Sequence, residues 1–450
     1  MNAPRKKTDS PAFSILFARA RVLGVAVLLG ASLAACGGGG GGGDGGAFSP
    51  STPALSTTSS GGSLGDPNVA PVYVDGGPNT STVRVLNAIY ADVKVCAPGS
   101  TTNCAVIDHV LVDTGSVGLR LLSSALPPAL LAAMPQATAN NGILAGECLA
   151  FISGVTWGGV RSADLLLGGS SFNGSIAANI RMQIIGDPES RVSSVPSSCS
   201  SQGQMTQTVS TLNANGIIGV GLFAQDCGYA CSSAAASVYY SCPSAGACSP
   251  TPMALSRQVP NPISSFGADS NGNTLVMPYP AGGASPRLDG LLVFGIGTRS
   301  NNGVAANSSI LGTNTGGYFQ SVFNGNSLPN SFIDSGSSIN FFPPSGTSNV
   351  APCDSPYQVF FCPSSPLTLA ASNFGRASTS SSTSIYVVNA LSAFNSKANA
   401  MSGLAGSNAY SFNSLDLGSN FFYGRSISTL IEGQSAAGFS VIGPAFSHTP

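Results

Sequence analysis

Val110-Leu-Val-Asp113-Thr-Gly-Ser116 and Ser331-Phe-Ile-Asp334-Ser-Gly-Ser337 are two versions of one phrase. In each, an apolar strand runs into a carboxylate and then into a tight turn. The glycine permits a turn whose backbone N–H groups face back toward the carboxylate, and the hydroxyls can donate to it. One such tetrad is ordinary turn chemistry. With the Asp content of this Ser- and Gly-rich chain, chance yields one tetrad roughly one time in ten and two only roughly a few times in a thousand. Apolar residues before both copies make coincidence rarer still. Gly216-Ile-Ile-Gly219 follows the first copy, and Leu415-Asp-Leu-Gly418, a poorer match, follows the second. Two copies of one plan imply two similar lobes.

Around these tetrads the chain reads as short β-runs between turn clusters. Residues 83–86, 90–95, 106–112, 165–167, 291–294 and 332–333 are rich in Val, Ile, Leu and aromatics. Residues 125–133 and 388–394 are short helix candidates. With 56 Gly and 30 Pro in 450 residues, long helices are not expected, and the fold class is mainly β. Only 8% of residues are charged, against about 25% in an average soluble domain. No basic cluster offers a nucleic-acid surface. The two histidines, His109 and His448, have no neighbouring candidate ligands, so no metal site is expected.

The N-terminus reads as an export signal. Arg5, Lys6, Lys7, Arg19 and Arg21 precede an apolar run over 22–35, too short to span a bilayer, that ends Leu33-Ala-Ala-Cys36. That ending resembles a bacterial lipobox, which makes 1–35 a lipoprotein signal peptide and Cys36 the lipidated mature N-terminus. Gly37, where inner-membrane retention would want Asp, favours the outer membrane, with the periplasmic or surface face left open. Residues 36–70, rich in Gly, Ser and Thr, form a flexible tether. After cleavage 12 basic residues stand against 17 acidic ones, a net −5 that argues against an anionic partner surface.

Without Cys36, ten cysteines remain, an even number suited to an oxidising compartment. The close pairs Cys96/Cys104, Cys227/Cys231, Cys242/Cys248 and Cys353/Cys362 read as local loop staples, with Cys148/Cys199 left over. Spacing alone does not fix the connectivity.

Taken as a set, these motifs resemble the pepsin-like aspartic peptidases over most of residues 80–445. In that family two Asp-Thr/Ser-Gly-Ser/Thr loops meet at a pseudo-two-fold axis between β-rich lobes. Gly216-Ile-Ile-Gly-Val-Gly221 looks like the segment that threads the first active-site loop, and Gly290-Leu-Leu-Val-Phe-Gly295 is similar to the strand closing the first lobe. Leu417-Gly-Ser-Asn-Phe-Phe422 looks like the late Leu-Gly-Asp-x-Phe element of the second lobe. Residues 151–169 are similar to the flap hairpin and the strand after it. The lipobox with this layout is also similar to an uncharacterised family of bacterial lipoproteins.

The resemblance implies a bilobal fold with lobes over 71–300 and 301–450, and catalysis by Asp113 and Asp334 sharing a proton and activating a water. Thr114, Gly115, Ser116, Ser335, Gly336 and Ser337 would support the pair. No cofactor is implied; the partner is a peptide or protein substrate, with a lipid anchor in the membrane and a monomeric chain. The family usually carries Tyr at the flap tip, and Phe151 and Trp157 are the candidates here for covering the cleft. Arg120 stands where a Trp commonly follows the first loop. The alternative is an inactive binding module of the same fold for a peptide, glycan or partner protein.

Rival signals are weaker. Gly61-Gly-Ser-Leu-Gly65 fits a hydrolase elbow but lies in the tether without a strand before it. Gly219-Val-Gly221 lacks the βαβ unit of a dinucleotide site. His109, in an apolar run, reads as a buried or strand-edge residue and not as a triad base.

Overall fold

The computed structural model describes residues 62–79, 84–343, 350–407 and 413–450. The signal peptide, Cys36 and the tether up to residue 61 lie outside them. The described chain is mainly β, as its apolar runs predict. Its longest helices, Pro128–Ala133 and Gly228–Ser233, have six residues each, too short to stand without packing.

Five of the six expected strands fall inside Ile89–Cys96, Cys104–Asp113, Gly154–Leu167, Leu288–Phe294 and Asn326–Ile333. Residues 84–86 of the sixth form no strand. Val85 packs there beside Tyr73 and Tyr90. Asn87 adopts a positive φ of 56°, which interrupts the extended run. Helices Pro128–Ala133 and Ala390–Phe394 occupy the two helix candidates.

A 15-stranded sheet contains Cys104–Asp113 and continues through Val69–Val74, Leu288–Phe294 and Gly272–Met277 to Arg425–Leu430 and Ala445–His448. The last strands of the chain therefore close on strands from before residue 300. A seven-stranded sheet holds Phe319–Phe323, Asn326–Ile333, Leu367–Phe374 and Ser380–Val387, together with short strands near residues 340, 405 and 416. In Ser380–Val387 buried and exposed residues alternate along the strand, the pattern of a sheet with one wet face.

The register around the two Asp turns repeats. Gly216–Val220 runs parallel to Cys104–Asp113, with Gly219 opposite Asp113, and antiparallel to Val117–Leu122. Asp416–Leu417 runs parallel to Asn326–Ile333, with Asp416 opposite Phe332, and antiparallel to Asn340–Phe341. Each returning segment is thus threaded between the two strands that its Asp turn joins. Only glycine fits that passage: a Cβ on Gly219 would lie 2.5 Å from the Val117 nitrogen, and one on Gly418 would lie 2.7 Å from the Ser337 carbonyl oxygen. Val110, Val112, Ile218, Ile333, Leu415 and Leu417 belong to one buried apolar cluster. The strand ends that carry both carboxylates therefore rest on a shared core.

Five disulfides join Cys96–Cys104, Cys148–Cys199, Cys227–Cys231, Cys242–Cys248 and Cys353–Cys362. Four staple single loops. The fifth ties the hairpin strand Ala145–Phe151 to the turn of helix Ser197–Ser200.

Candidate active site

The two Asp turns meet face to face. Asp113 Oδ1 accepts from the backbone N–H groups of Gly115 at 2.8 Å and Ser116 at 3.2 Å, and Oδ2 accepts from the Ser116 hydroxyl at 2.5 Å. Asp334 Oδ1 accepts from the Gly336 N–H at 2.8 Å and, across the junction, from the Gly115 N–H at 3.1 Å. Its Oδ2 accepts from the Ser337 hydroxyl, 3.1 Å away. The approach is reciprocal: a Cβ on Gly115 would fall 2.6 Å from the Asp334 carboxyl carbon, and one on Gly336 would fall 2.6 Å from Asp113 Oδ1.

Beneath the carboxylates, Thr114 and Ser335 clasp the two turns together. The Thr114 N–H donates to Ser335 Oγ at 3.0 Å, while that hydroxyl donates to the Val112 carbonyl at 2.7 Å. In mirror fashion the Ser335 N–H donates to Thr114 Oγ1 at 2.9 Å, and that hydroxyl donates to the Ile333 carbonyl at 3.4 Å. Both side chains are buried, so these bonds form away from competing water.

Asp334 is strongly displaced from ordinary carboxyl behaviour. Desolvation, then repulsion from Asp113 and Asp416, hold it well above the usual carboxylate range, so the pair retains a proton that isolated acids would lose. One neutral and one charged carboxyl beside each other can serve as acid and base on one substrate.

Asp416 is a member of this cluster that the sequence reading passed over, although it lies within the quoted Leu415-Asp-Leu-Gly418. Buried on the threaded segment, it is hydrogen-bonded through Oδ2 to the Ser337 hydroxyl, 2.7 Å away. The signal available in the sequence was an acid flanked by apolar residues in a strand that the pattern makes internal.

The hairpin of Ala145–Phe151 and Gly154–Leu167 turns at Ile152 and Ser153, with Phe151 partly exposed at the end of its first strand. Trp157 lies elsewhere. It is buried among Cys148, Val192 and Tyr240, donates its indole N–H to the Val192 carbonyl at 2.6 Å and meets the Tyr240 ring edge-on. Of the two flap candidates, Trp157 is therefore a core residue, held there by the partner its N–H finds.

Arg120 pairs with carboxylates. Completely buried, its Nη2 donates to Glu147 Oε1 at 2.7 Å and to Asp226 Oδ2 at 3.0 Å, and its Nη1 donates to the Val117 carbonyl at 2.6 Å. Burial alone would lower the guanidinium; Glu147 and Asp226 outweigh it and keep the charge. The Tyr239 hydroxyl donates to the other Asp226 oxygen at 2.7 Å. His109 sits between Asp75 and Asp108 at 3.3 and 3.1 Å, edge-on to Tyr73 and Tyr90. Its ring nitrogens both face carboxylates, at a bulge inside the strand Cys104–Asp113 where His109 has a φ of 48°, which is not the arrangement of a triad base. Among the described residues, no group of three His, Cys, Asp or Glu is placed to hold a metal.

The profile of the family described as "Protein of unknown function (DUF3443)" matches residues 65–447, and the chain belongs to that family. None of the curated proteins matches it.

Proposed function

We propose that this DUF3443 member is an exported aspartic-type endopeptidase with a pepsin-like bilobal fold, its lobes spanning 71–300 and 301–450. A lipid on Cys36 holds it at the outer membrane. The observation that carries the reading is the reciprocal Thr114–Ser335 clasp, which brings Asp113 and Asp334 together from segments more than two hundred residues apart. Turns of purely local use would have no reason to exchange hydrogen bonds in this way. The five disulfides fit an oxidising compartment.

In this reading Asp334 enters the cycle protonated and polarises the scissile carbonyl. Asp113, fixed by three donors from its own turn, takes a proton from a water whose oxygen attacks the carbonyl carbon. The proton on Asp113 passes to the leaving amine as the C–N bond breaks. Asp334 recovers its own from the diol hydroxyl as the new carboxyl forms. No covalent acyl-enzyme is made and no cofactor takes part. Phe151, at the hairpin tip, covers the cleft in place of the tyrosine of pepsin-like flaps.

A peptide-library cleavage assay on the full-length protein in detergent, between about pH 3 and 7, tests the proposal. Cleavage is expected, and both a pepstatin-type inhibitor and Asp113→Asn should abolish it. Absence of any cut at every pH, from protein with an intact cooperative unfolding transition, would overturn it. That result would favour the same fold acting as a binding module for a peptide, glycan or partner protein, a reading to which the missing flap tyrosine lends weight.

A further inference from the structure

The two halves of the site are not equivalent, and one difference changes the chemistry. The first threaded segment, Gly216–Val220, presents Ile217 opposite Leu111; in the second, Asp416 stands opposite Phe332 in the same relation to its Asp turn. Ile217 and Asp416 are both buried, at 3% and 2% exposure. An acid therefore occupies a position whose counterpart is satisfied by a hydrocarbon.

Among the described residues, nothing around Asp416 offers it a positive charge. The strands on either side, Asn326–Ile333 and Asn340–Phe341, contain no charged residue, and the ionisable groups that face it are Asp334 and Asp113, both acids. Its Oδ1 is buried without a hydrogen-bond partner. An isolated carboxylate in such surroundings is far less stable than the neutral acid. Accordingly, burial pushes the Asp416 carboxyl up to about 8, against the pull of its Ser337 hydrogen bond and with repulsion from Asp113 added.

The hydroxyl of Ser337 makes the case by counting protons. Its Oγ lies 2.7 Å from Asp416 Oδ2 and 3.1 Å from Asp334 Oδ2. A hydroxyl has one hydrogen, and an ionised carboxyl can only accept. Two ionised carboxylates would leave one of these contacts as lone pair against lone pair. With the Asp334 proton directed at the substrate carbonyl, as the proposed cycle requires, both contacts become hydrogen bonds when Asp416 brings a proton of its own.

We propose that Asp416 is a third member of the carboxyl cluster: a neutral acid at neutral pH that donates to Ser337, which in turn donates to Asp334 and fixes its orientation. The inference rests on the reading of Asp113 and Asp334 as the catalytic pair, and within it Asp416 is a positioning residue. Ser116, the counterpart of Ser337, serves Asp113 alone. Only the Asp334 side of the pair is tied to a buried proton reserve, which distinguishes the acid of the cycle from its base.

Infrared spectroscopy of the full chain carrying isotope-labelled Asp carboxyls reads this without any substrate. At neutral pH the wild type should show the carbonyl stretch of protonated Asp, and Asp416→Asn should lose the share of that band belonging to one acid. An unchanged band would mean that Asp416 is ionised and would overturn the proposal. With a cleavable peptide, Asp416→Leu should lower kcat roughly tenfold at unchanged KM, the effect of losing one hydrogen bond between neutral groups. Asp416→Asn, whose amide N–H can still donate to Ser337, should keep wild-type kcat; equal loss in both variants would overturn the relay. If the wild type cleaves nothing, the peptidase reading fails by itself, and the infrared result still decides the state of Asp416.

Discussion

Ser335 carries more of this site than its size implies. Its single oxygen accepts from the Thr114 N–H and donates to the Val112 carbonyl, and both partners belong to the other Asp turn. Ser335→Ala leaves a buried donor and a buried acceptor unpaired at once, at about 1–3 kcal/mol each before relaxation. We expect a loss of about 2–4 kcal/mol in urea unfolding and, because the carboxyls are no longer held in register, a cleavage rate lowered roughly a hundredfold. Ser335→Thr keeps the oxygen and should retain most of both. Alanine behaving like wild type would show that the core alone sets the junction. At this scale the sequence was legible where a residue's partners are local, as in the Asp turns. It was silent where they are distant: Asp416 meets Ser337 across 79 positions, and nothing nearby in the chain announces that contact.

Among the elements, strand existence was readable because apolar β-branched runs have few other uses, whereas the failure at residues 84–86 came from a left-handed Asn87. The apolar threading segments were readable through their glycines, whose necessity is steric. Arg120 was not, since a cation in the strand Val117–Leu122 has partners only once that strand lies near Ala145–Phe151 and the loop at Asp226. In the fold it supplies the positive charge between two buried acids, and burial followed by the charge of Glu147 already holds Asp226 well above the usual range. Removing the cation should cost more than packing. Arg120→Ala is expected to lose about 3–5 kcal/mol in chemical denaturation, because it leaves two buried acids without the cation between them. The triple variant Arg120→Met, Glu147→Gln, Asp226→Asn should recover much of that loss. If the triple variant were no better than the single one, the arginine's contribution would be its volume and its bonds to the backbone rather than its charge.

Over the whole molecule, covalent closure matters in proportion to the chain it spans, and the five disulfides differ widely in that respect. Cys148 and Cys199 are 51 residues apart, whereas Cys227 and Cys231 are separated by four. The loop between Cys148 and Cys199 contains the long strands Gly154–Leu167 and Ser175–Ile185, so the bridge restricts the unfolded ensemble of a substantial part of the large sheet. In the chain-entropy account that bridge contributes about 4 kcal/mol and the short one about 2 kcal/mol. Replacing Cys148 and Cys199 by Ser should therefore lower unfolding stability by roughly twice as much as replacing Cys227 and Cys231, measured in urea without reductant. Equal losses would place the stabilisation in local packing instead; Cys148 and Cys199 sit in one apolar cluster with Trp157, whereas Cys231 lies in another with Tyr239. The comparison bears on function because Cys148 lies in the hairpin strand that ends at Phe151. The bridge anchors the hairpin midway along its ladder, at Cys148 opposite Trp157, below the turn at Ile152 and Ser153. If the flap role of Phe151 is correct, loss of the Cys148–Cys199 bridge should weaken peptide binding, seen as a raised KM, while leaving kcat close to wild type, because the Asp turns rest on a different part of the core.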